Sequence, residues 1–383
     1  MTTSADIVDS LTALVGFATE SRQSNLPLLD WVADRVNEVG GRTVVLPGAP
    51  GRANLLASFG PATAGGLLLS GHSDVVPAGD GWSSPPYTVT AADDVLRGRG
   101  TADMKGFIAV ALHALAAVDM ASLQRPVHLA LSYDEEIGCA GVGGLLDHLA
   151  VTGEVSPELV LVGEPTMMRP RHQHLGKLAF EVTFAAQAGH SSRSHSFPSA
   201  ITSAARVVAA IDQLNEQYRP TDAAEPEVSL NCGVIRGGET LNVIADRCEL
   251  SFEIRFSAAF DPDVLVAPVL EAIALEHQRL SAVGGTVTTT EITRYPALDT
   301  DTAHPLVRLV ERIADSGPST AIGYGTEGGL FANALGVPVV VCGPGDISVA
   351  HRADEFVSVE QLLRCDRFLR ALVGAVCIDR PAA

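Results

Sequence analysis

The apolar positions along the chain form short, nearly continuous runs that alternate with segments of helical periodicity. Leu67–Leu69, Val127–Tyr133 and Leu159–Val162 are such runs, and Phe107–Val118 has the spacing of a helix. Nearly continuous apolar runs predict strands that are buried on both faces of a sheet. Their alternation with helices predicts an α/β fold with a mostly parallel sheet and flanking helices. The same patterns predict further helices over Ala5–Thr19, Leu26–Val39, Pro305–Ala314 and Val359–Val376. They predict further strands over Arg42–Leu46, Asn54–Ser58 and Val337–Cys342.

A different pattern occupies the middle of the chain. Leu178–Ala186 alternates apolar and polar residues, which is typical of an antiparallel strand with one covered face. The segments after it complete a βαββαβ order, which predicts a ferredoxin-like α+β domain. They are Pro198–Tyr218, Val228–Ile235, Leu241–Phe256, Asp261–Leu280 and Thr286–Thr293. We therefore predict a catalytic domain over 1–177 and 295–383 and an inserted domain over 178–294.

The composition narrows the classes of partner. The 383 residues carry a formal net charge of −19, from 26 basic and 45 acidic side chains. No basic patch is present, which argues against nucleic acid, and no apolar run is long enough to span a membrane. The N-terminus lacks a signal-peptide pattern, and six scattered cysteines without a C-x-x-C pair are typical of reduced thiols. We expect a cytoplasmic protein that acts on small molecules.

Polar residues stand where the predicted buried strands end, which is where open α/β sheets bind their ligands. His72 and Asp74 follow the first of these strands, and three adjacent carboxylates follow the second. Each feature also has a structural interpretation, since His72 could simply cap its strand and the carboxylates could form a solvated turn. The full set of candidates is His72, Asp103, Glu135, Glu136, Glu164 and His351.

Two imidazoles and several carboxylates suit two divalent metal ions. Three adjacent carboxylates are costly to bury without a cation, and a metal would supply the positive charge. With one bridging carboxylate, each ion would have one histidine, one terminal carboxylate and an open position for water. Such mixed nitrogen and oxygen ligation fits zinc, cobalt or manganese.

Motifs along nearly the whole chain resemble those of the co-catalytic zinc amidohydrolases. They are Gly71–Asp74 (GHSD), Gly98–Gly106 (GRGTADMKG), Asp134–Glu136 (DEE), Gly163–Pro165 (GEP) and Ala350-His351. The resemblance implies hydrolysis of the amide bond of N-acyl amino acids with two Zn²⁺ per chain, for which Co²⁺ could substitute. It implies that His72 and Glu164 hold one zinc, that Glu136 and His351 hold the other, and that Asp103 bridges them.

The resemblance also implies roles for residues that are not ligands. Asp74 would orient His72, and Glu135 would be the general base. The peptide bond after the bridging carboxylate, Asp103-Met104, would be cis. The chain would form a homodimer through the inserted domain, and His190 in the sequence Ala-Gly-His-Ser-Ser would act in the partner's active site.

Three further residues concern the substrate. By the resemblance, Asn242 and Arg255 match positions that contact substrate, although a turn amide and a solvated strand arginine would look the same. Gly325–Phe331 (GTEGGLF) with Cys342–Gly345 (CGPG) resembles members that hydrolyse N2-acetyl-L-ornithine in arginine biosynthesis. Glu327 would pair with the cationic side chain of that substrate, or would only begin a helix. The alternatives are succinyl-diaminopimelate or another N-acyl amino acid. A non-catalytic metal-binding protein would have lost a ligand or the base, and none of these residues is missing.

Overall fold

In a computed structural model of the protein, residues 4–153, 155–220 and 227–379 are described. The chain forms two compact units, Met1–His174 with Leu298–Ala383 and Leu175–Ala297. Each unit has a hydrophobic core of its own. Because the first unit is discontinuous in sequence, the second unit is an insertion within it.

The first unit combines a large mixed sheet with helices. Its helices are α1 (Ser4–Gly16), α2 (Leu26–Glu38), α3 (Lys105–Ala116), α4 (Gly143–Thr152), α7 (Pro305–Ala314), α8 (Gly328–Leu335) and α9 (Val359–Val373). Its strands are β1 (Arg42–Pro47), β2 (Ala53–Phe59), β3 (Leu67–His72), β4 (Thr90–Ala92), β5 (Val95–Arg97), β6 (Val127–Ser132), β7 (Leu159–Pro165), β8 (Arg171–His174), β15 (Leu298–Asp299), β16 (Thr320–Ile322), β17 (Val339–Gly343) and β18 (Phe356–Ser358). Short 3₁₀ turns lie at Met120–Ser122 and Ile347–Val349, and a π turn lies at Gly374–Ile378.

The strands of the central sheet follow the order β1-β2-β6-β3-β7-β17-β8-β15, and β16 pairs with β8. The four central strands β6, β3, β7 and β17 are parallel to one another. This confirms a mixed α/β fold with a mostly parallel sheet at its centre. The edges differ, because β1, β2, β8 and β15 join by antiparallel pairs. Every residue of the four parallel strands is buried, whereas β1 is largely exposed, as expected when only the central strands are covered on both faces.

Helix α3 packs directly against the strands that end at the candidate site. All its residues from Lys105 to Leu115 are buried. Two glycines permit this close approach: a Cβ atom at Gly163 would lie 2.1 Å from Phe107 Cδ1, and one at Gly71 would lie 3.1 Å from Met104 Cε. Each glycine immediately precedes a candidate ligand, so the packing of α3 fixes the backbone at that point.

The second unit is a four-stranded antiparallel sheet covered by two helices. It contains β9 (Gly176–Ala185), β10 (Gly189–His190), α5 (Ala200–Gln217), β11 (Val228–Gly237), β12 (Val243–Ile244), β13 (Arg247–Phe256), α6 (Pro262–Ser281) and β14 (Thr286–Tyr295), with a 3₁₀ turn at Ser191–Arg193. The sheet order is β11-β13-β9-β14, and β10 pairs separately with β12. The strands and long helices follow the βαββαβ order along the chain.

One predicted strand of this unit is interrupted. The alternation over Leu241–Phe256 predicts a continuous strand, but β12 ends at Ile244 and β13 begins at Arg247. Between them the carbonyl groups of Ala245 and Asp246 accept hydrogen bonds from the backbone N–H groups of Ala200 and Ala186. The two residues thus lie between two separate strands, and sequence alternation alone does not reveal this break.

Two predictions from composition concern cysteines and membranes. In the described residues, the six cysteines are free thiols, and all except the half-buried Cys232 are buried. Across the same residues, we find no helix with the length and apolar character that a membrane crossing requires.

Candidate active site

The strand register brings the candidate residues to one edge of the central sheet. β3 lies between β6 and β7 and is parallel to both, with His72 opposite Ser132. The carboxyl ends of these strands therefore meet, and Glu164 lies at the end of β7. The acidic turn after β6 reaches the same edge, because the backbone N–H groups of Glu135 and Glu136 donate to the carboxylate of Asp74, at 3.1 and 3.3 Å.

Asp103 stands between the two candidate histidines. Its Oδ1 lies 3.0 Å from His72 Nε2, and its Oδ2 lies 3.3 Å from His351 Nε2. Around them, Glu136 Oε2 lies 2.9 Å from His351 Nε2, and Glu164 Oε1 lies 3.8 Å from His72 Nε2. Each histidine thus faces one oxygen of Asp103 and one oxygen of a further carboxylate.

Asp74 organises this edge in a way that differs in detail from the sequence interpretation. His72 Nδ1 donates to the backbone carbonyl of Asp74 at 2.9 Å, whereas the Asp74 carboxylate is 3.7 Å away. Because a carbonyl only accepts, Nδ1 carries a proton, so Nε2 is the atom that can bind a metal once the ring is neutral. The carboxylate itself accepts from the Ser21 hydroxyl at 2.7 Å and from the acidic turn.

Burial dominates the electrostatics of the cluster. Burial raises the pKa of Glu135, Glu136 and Glu164, and neighbouring carboxylates add to the rise. Burial alone would lower the pKa of His72, but its hydrogen bond with Asp103 and the nearby carboxylates raise it well above its ordinary value. Burial also opposes the ionisation of Asp103, yet hydrogen bonds from both histidines hold its pKa below the usual range. The cluster therefore favours added positive charge.

The side chains fit divalent metal ions. Two groups, His72 with Asp103 and Glu136, and His72 with Glu135 and Glu164, have ligand atoms that all lie within 4.8 Å of one another. Glu136 Oε1 is buried without a hydrogen-bond partner among the described residues, although its other oxygen faces His351. Imidazole nitrogen and carboxylate oxygen are the donors that zinc, cobalt and manganese accept.

A buried ion pair that sequence reasoning missed holds the loop with Asp103. The Glu355 carboxylate accepts from the Arg99 guanidinium at 2.7 Å and from the backbone N–H groups of Gly100, Ala102 and Asp103, at 3.0, 2.9 and 3.1 Å. Arg99 and Glu355 are 2% and 1% exposed. Because Glu355 follows His351 closely in the chain, this pair ties together the loops of two candidate ligands. The predicted cis peptide bond at Asp103-Met104 is present in this loop.

A second missed contact involves Cys139. Its buried thiol lies 3.5 Å from Glu135 Oε1 and donates to it. Its backbone N–H donates to the Glu135 carbonyl at 2.7 Å, which closes the turn. The motif Asp-Glu-Glu-Ile-Gly-Cys contains both residues, and their spacing of four was the available signal.

Glu327 is buried in the first unit rather than exposed. It directly precedes α8 and is 2% exposed. Burial raises its pKa to about 7, while the Ser132 and Ser70 hydroxyls and the charge of His72 oppose the rise. The charge of Glu327 in turn helps to raise the pKa of Glu135, so the two carboxyls interact.

The remaining candidates, His190, Asn242 and Arg255, lie in the second unit. His190 is exposed, its Nδ1 lies 2.8 Å from the Ser192 hydroxyl, and the N–H of Ser191 donates to the Asn242 carbonyl at 3.0 Å. His190 and Asn242 are thus neighbours where β10 pairs with β12. Arg255 instead donates to Glu253 at 3.2 Å and to the Tyr295 hydroxyl at 3.3 Å.

Comparison with known proteins agrees with this geometry. The chain is 33% identical over 363 residues to an acetylornithine deacetylase of Klebsiella pneumoniae (strain 342), covering 93% of this chain and 92% of that protein. Among solved structures, it resembles the M20 family metallo-carboxypeptidase Sso-CP2 of Sulfolobus solfataricus, with a TM-score of 0.78, 16% identity and coverage of 96% and 98%. It also resembles the YXEP protein of Bacillus subtilis, a dinuclear metal-binding peptidase, with a TM-score of 0.65, 13% identity and 97% coverage of both chains.

The two structural neighbours indicate the fold, and the deacetylase relative shows similarity in sequence over most of the chain. The sequence profile of Peptidase family M20/M25/M40 matches residues 68–375, which contain all five candidate metal ligands. The chain belongs to Peptidase family M20/M25/M40, a family of hydrolases.

Proposed function

We propose that the protein hydrolyses the amide bond of N2-acetyl-L-ornithine, giving L-ornithine and acetate, with two divalent metal ions per chain. The observation that carries the proposal is the position of Asp103, whose two oxygens face His72 and His351 separately. The deacetylase relative and the dinuclear metal-binding neighbour support the reaction class and the metal requirement.

The observed distances support the proposed ligand sets. His72 and Glu164 would hold one ion, Glu136 and His351 would hold the other, and Asp103 would bridge them. Zinc is the proposed metal, with cobalt as a substitute, because the donor set accepts both. When bound, such ions polarise an amide carbonyl and lower the pKa of a coordinated water.

Glu135 is the proposed general base. It is not needed as a ligand in these sets, yet it lies in the group with His72 and Glu164. Its carboxylate would accept a proton from the attacking water and deliver it to the leaving amine. The thiol of Cys139 and the N–H bond to Asp74 hold this side chain and its backbone in place.

The choice of acetylornithine rests on the relative and on Glu327. A buried carboxylate beside the cluster would attract the ammonium of ornithine and disfavour the carboxylate of a succinyl group. Succinyl-diaminopimelate, or another N-acyl amino acid, is the alternative substrate. We further propose that the protein is a cytoplasmic enzyme of arginine biosynthesis.

The inserted unit is the proposed dimerisation domain. In this proposal His190 crosses to the partner's active site and stabilises the oxyanion, and Asn242 and Arg255 contact substrate. The exposed position of His190 is compatible with contact to another chain. The bonds of Arg255 to Glu253 and Tyr295 would have to be exchanged or shared for it to bind substrate.

A hydrolysis panel on zinc-loaded protein tests the assignment. The substrates are acetylornithine, succinyl-diaminopimelate and acetylmethionine, with kcat/KM measured for each and metal content measured on the same sample. We expect the highest kcat/KM for acetylornithine and two ions per chain. Preference for succinyl-diaminopimelate would transfer the assignment to a desuccinylase, and a single tight metal site would contradict the bridging role of Asp103.

A further inference from the structure

The first unit contains a positively charged cavity within an acidic protein. The cavity has a volume of about 680 Å³, and its lining includes Arg169, Arg171 and Arg364 but only one acidic residue, Asp346. This balance reverses that of the whole chain, in which 45 acidic side chains outnumber 26 basic ones. A local excess of positive charge raises the local concentration of anions.

The charges of the three arginines are not neutralised by carboxylates. In the described part of the chain, none of the three forms an ion pair. Arg171 donates to the Thr320 hydroxyl, and Arg364 Nη2 donates to the Ala314 carbonyl at 3.0 Å. Both partners are neutral, so they orient the guanidinium groups but leave the positive charge available to a ligand.

The charges of two of the arginines act on the same buried residue, Cys342. Burial raises the pKa of the Cys342 thiol to about 12, and the charges of Arg364 and Arg171 both oppose this rise. Cys342 belongs to β17, the last of the central parallel strands. Arg171, whose backbone pairs with Val341 of that strand, comes from β8 and Arg364 comes from α9, and both line the cavity.

The cavity adjoins the metal-ligand cluster along the chain. Pro165 and Thr166 line it and directly follow Glu164, and the Tyr324 hydroxyl on its wall donates to the Pro165 carbonyl at 2.8 Å. Asp346 pairs with Thr166 and belongs to the loop that leads to His351. A bound ligand would thus contact one segment that follows Glu164 and one that precedes His351.

The size and chemistry of the cavity indicate its ligand. Its volume lies within the range of about 300–1,000 Å³ that is usual for small-molecule sites. Planar guanidinium groups bind carboxylate and phosphate through paired hydrogen bonds. We infer that this cavity binds a small molecule that carries a carboxylate or phosphate group. Such a group could belong to an acidic end of the substrate or to a separate effector.

Titration calorimetry on the metal-loaded protein tests the inference, with inorganic phosphate and succinate as probes at low ionic strength. The test variants are Arg169→Gln, which removes a guanidinium without a hydrogen-bond partner among the described residues, and the double variant Arg171→Gln with Arg364→Gln. The control is Arg312→Gln, at an exposed position of α7. We expect at least one probe to bind, with Kd weakened at least about tenfold in both test variants and unchanged in the control.

Two outcomes would overturn the inference. If neither probe binds at concentrations up to about 10 mM, the cavity is not an anion site. A Kd above that concentration would correspond to a binding free energy of less than about 3 kcal/mol. If a probe binds all variants equally, the anion lies elsewhere, for example on the metal ions. Thermal unfolding and metal content, measured for each variant, separate loss of the site from loss of the fold.

Kinetic measurements distinguish the two sources of the anion. Competitive inhibition by succinate that is lost in Arg169→Gln would identify an acidic end of the substrate. Non-competitive inhibition or activation by phosphate, lost in the same variant, would identify an effector. Both readouts are independent of which substrate the panel selects, so failure of the acetylornithine assignment would leave this inference intact.

Discussion

The two units each present a histidine with a proposed catalytic role, in opposite environments. His72 is 1% exposed, and its ring is held between the Asp74 carbonyl and Asp103. His190 is exposed, and its ring nitrogen Nδ1 forms hydrogen bonds with the hydroxyl and the backbone N–H of Ser192. The first histidine has the other proposed metal ligands in its own unit, whereas the unit that carries the second histidine contains none of the five proposed ligands.

The difference shows which roles a single chain can complete. Metal ligands must converge to within a few ångströms, and the parallel strands with the loop clamped by Glu355 achieve this inside the first unit. An exposed side chain that acts on another subunit needs no buried partners of its own. The proposal for His190 therefore depends on assembly, and the proposal for the cluster does not.

Glu135→Ala should have the largest effect on the buried side of this comparison. Removal of a general base commonly costs about 10²–10⁴-fold in rate. We expect loss of nearly all turnover with both metal ions retained, measured by kcat and by metal analysis of the same sample. Asp147→Ala, at an exposed position of α4, is the control. If Glu135→Ala loses metal while Glu136→Ala does not, the roles of base and ligand are exchanged.

His190→Ala tests the exposed side. Loss of one oxyanion-stabilising donor costs about 10²–10³-fold in kcat, and His195→Ala, in the same exposed segment, should have no such effect. Mixing His190→Ala chains with Glu135→Ala chains should rebuild some complete sites and restore part of the activity. Subunit exchange must be verified by mass. Exchanged heterodimers that stay inactive would rule out action across the interface.

Glu355→Gln tests how far the buried ion pair with Arg99 supports metal binding by the cluster in the first unit. The substitution removes the charge facing Arg99 and directs an amide group toward backbone N–H donors. Outer partners of metal ligands typically contribute about 10–100-fold to metal affinity. We expect a loss of that size for at least one ion, measured by competition with a chelator. Glu360→Gln, exposed in the first turn of α9, is the matched control. Unchanged affinity would show that the ion pair does not position the ligands.

Glu327→Gln should have the smallest effect, and a selective one. A hydrogen bond to a charged group contributes about 1.5–3 kcal/mol, so we expect kcat/KM for acetylornithine to fall about tenfold or more relative to acetylmethionine. Acetylmethionine carries no side-chain charge, and metal content should not change. Equal losses with both substrates would assign Glu327 a structural role and weaken the choice of acetylornithine.

The sequence by itself determined the strands of the parallel core and the residues at their ends. Apolar runs such as Leu67–Leu69 must be covered on both faces, and polar residues directly after them must reach one edge of the sheet. The motifs around His72 and Glu164 followed from this local pattern. Periodicity is a local property, so it predicts each element and the residues directly next to it, but not the contacts between distant elements.

Only the tertiary structure decided how residues distant in sequence meet. The clamp between Arg99 and Glu355 joins residues more than two hundred positions apart, and no periodicity couples them. Periodicity also does not couple Arg169, Arg171 and Arg364, which line the cavity proposed to bind anions. They come from the segment before β8, from β8 and from α9. Burial of Glu327 was also decided by packing, because a glutamate before a helix is compatible with either solvent or core. Contacts, burial and charge balance depend on the assembled fold, and the role proposed for His190 would depend on a second chain as well.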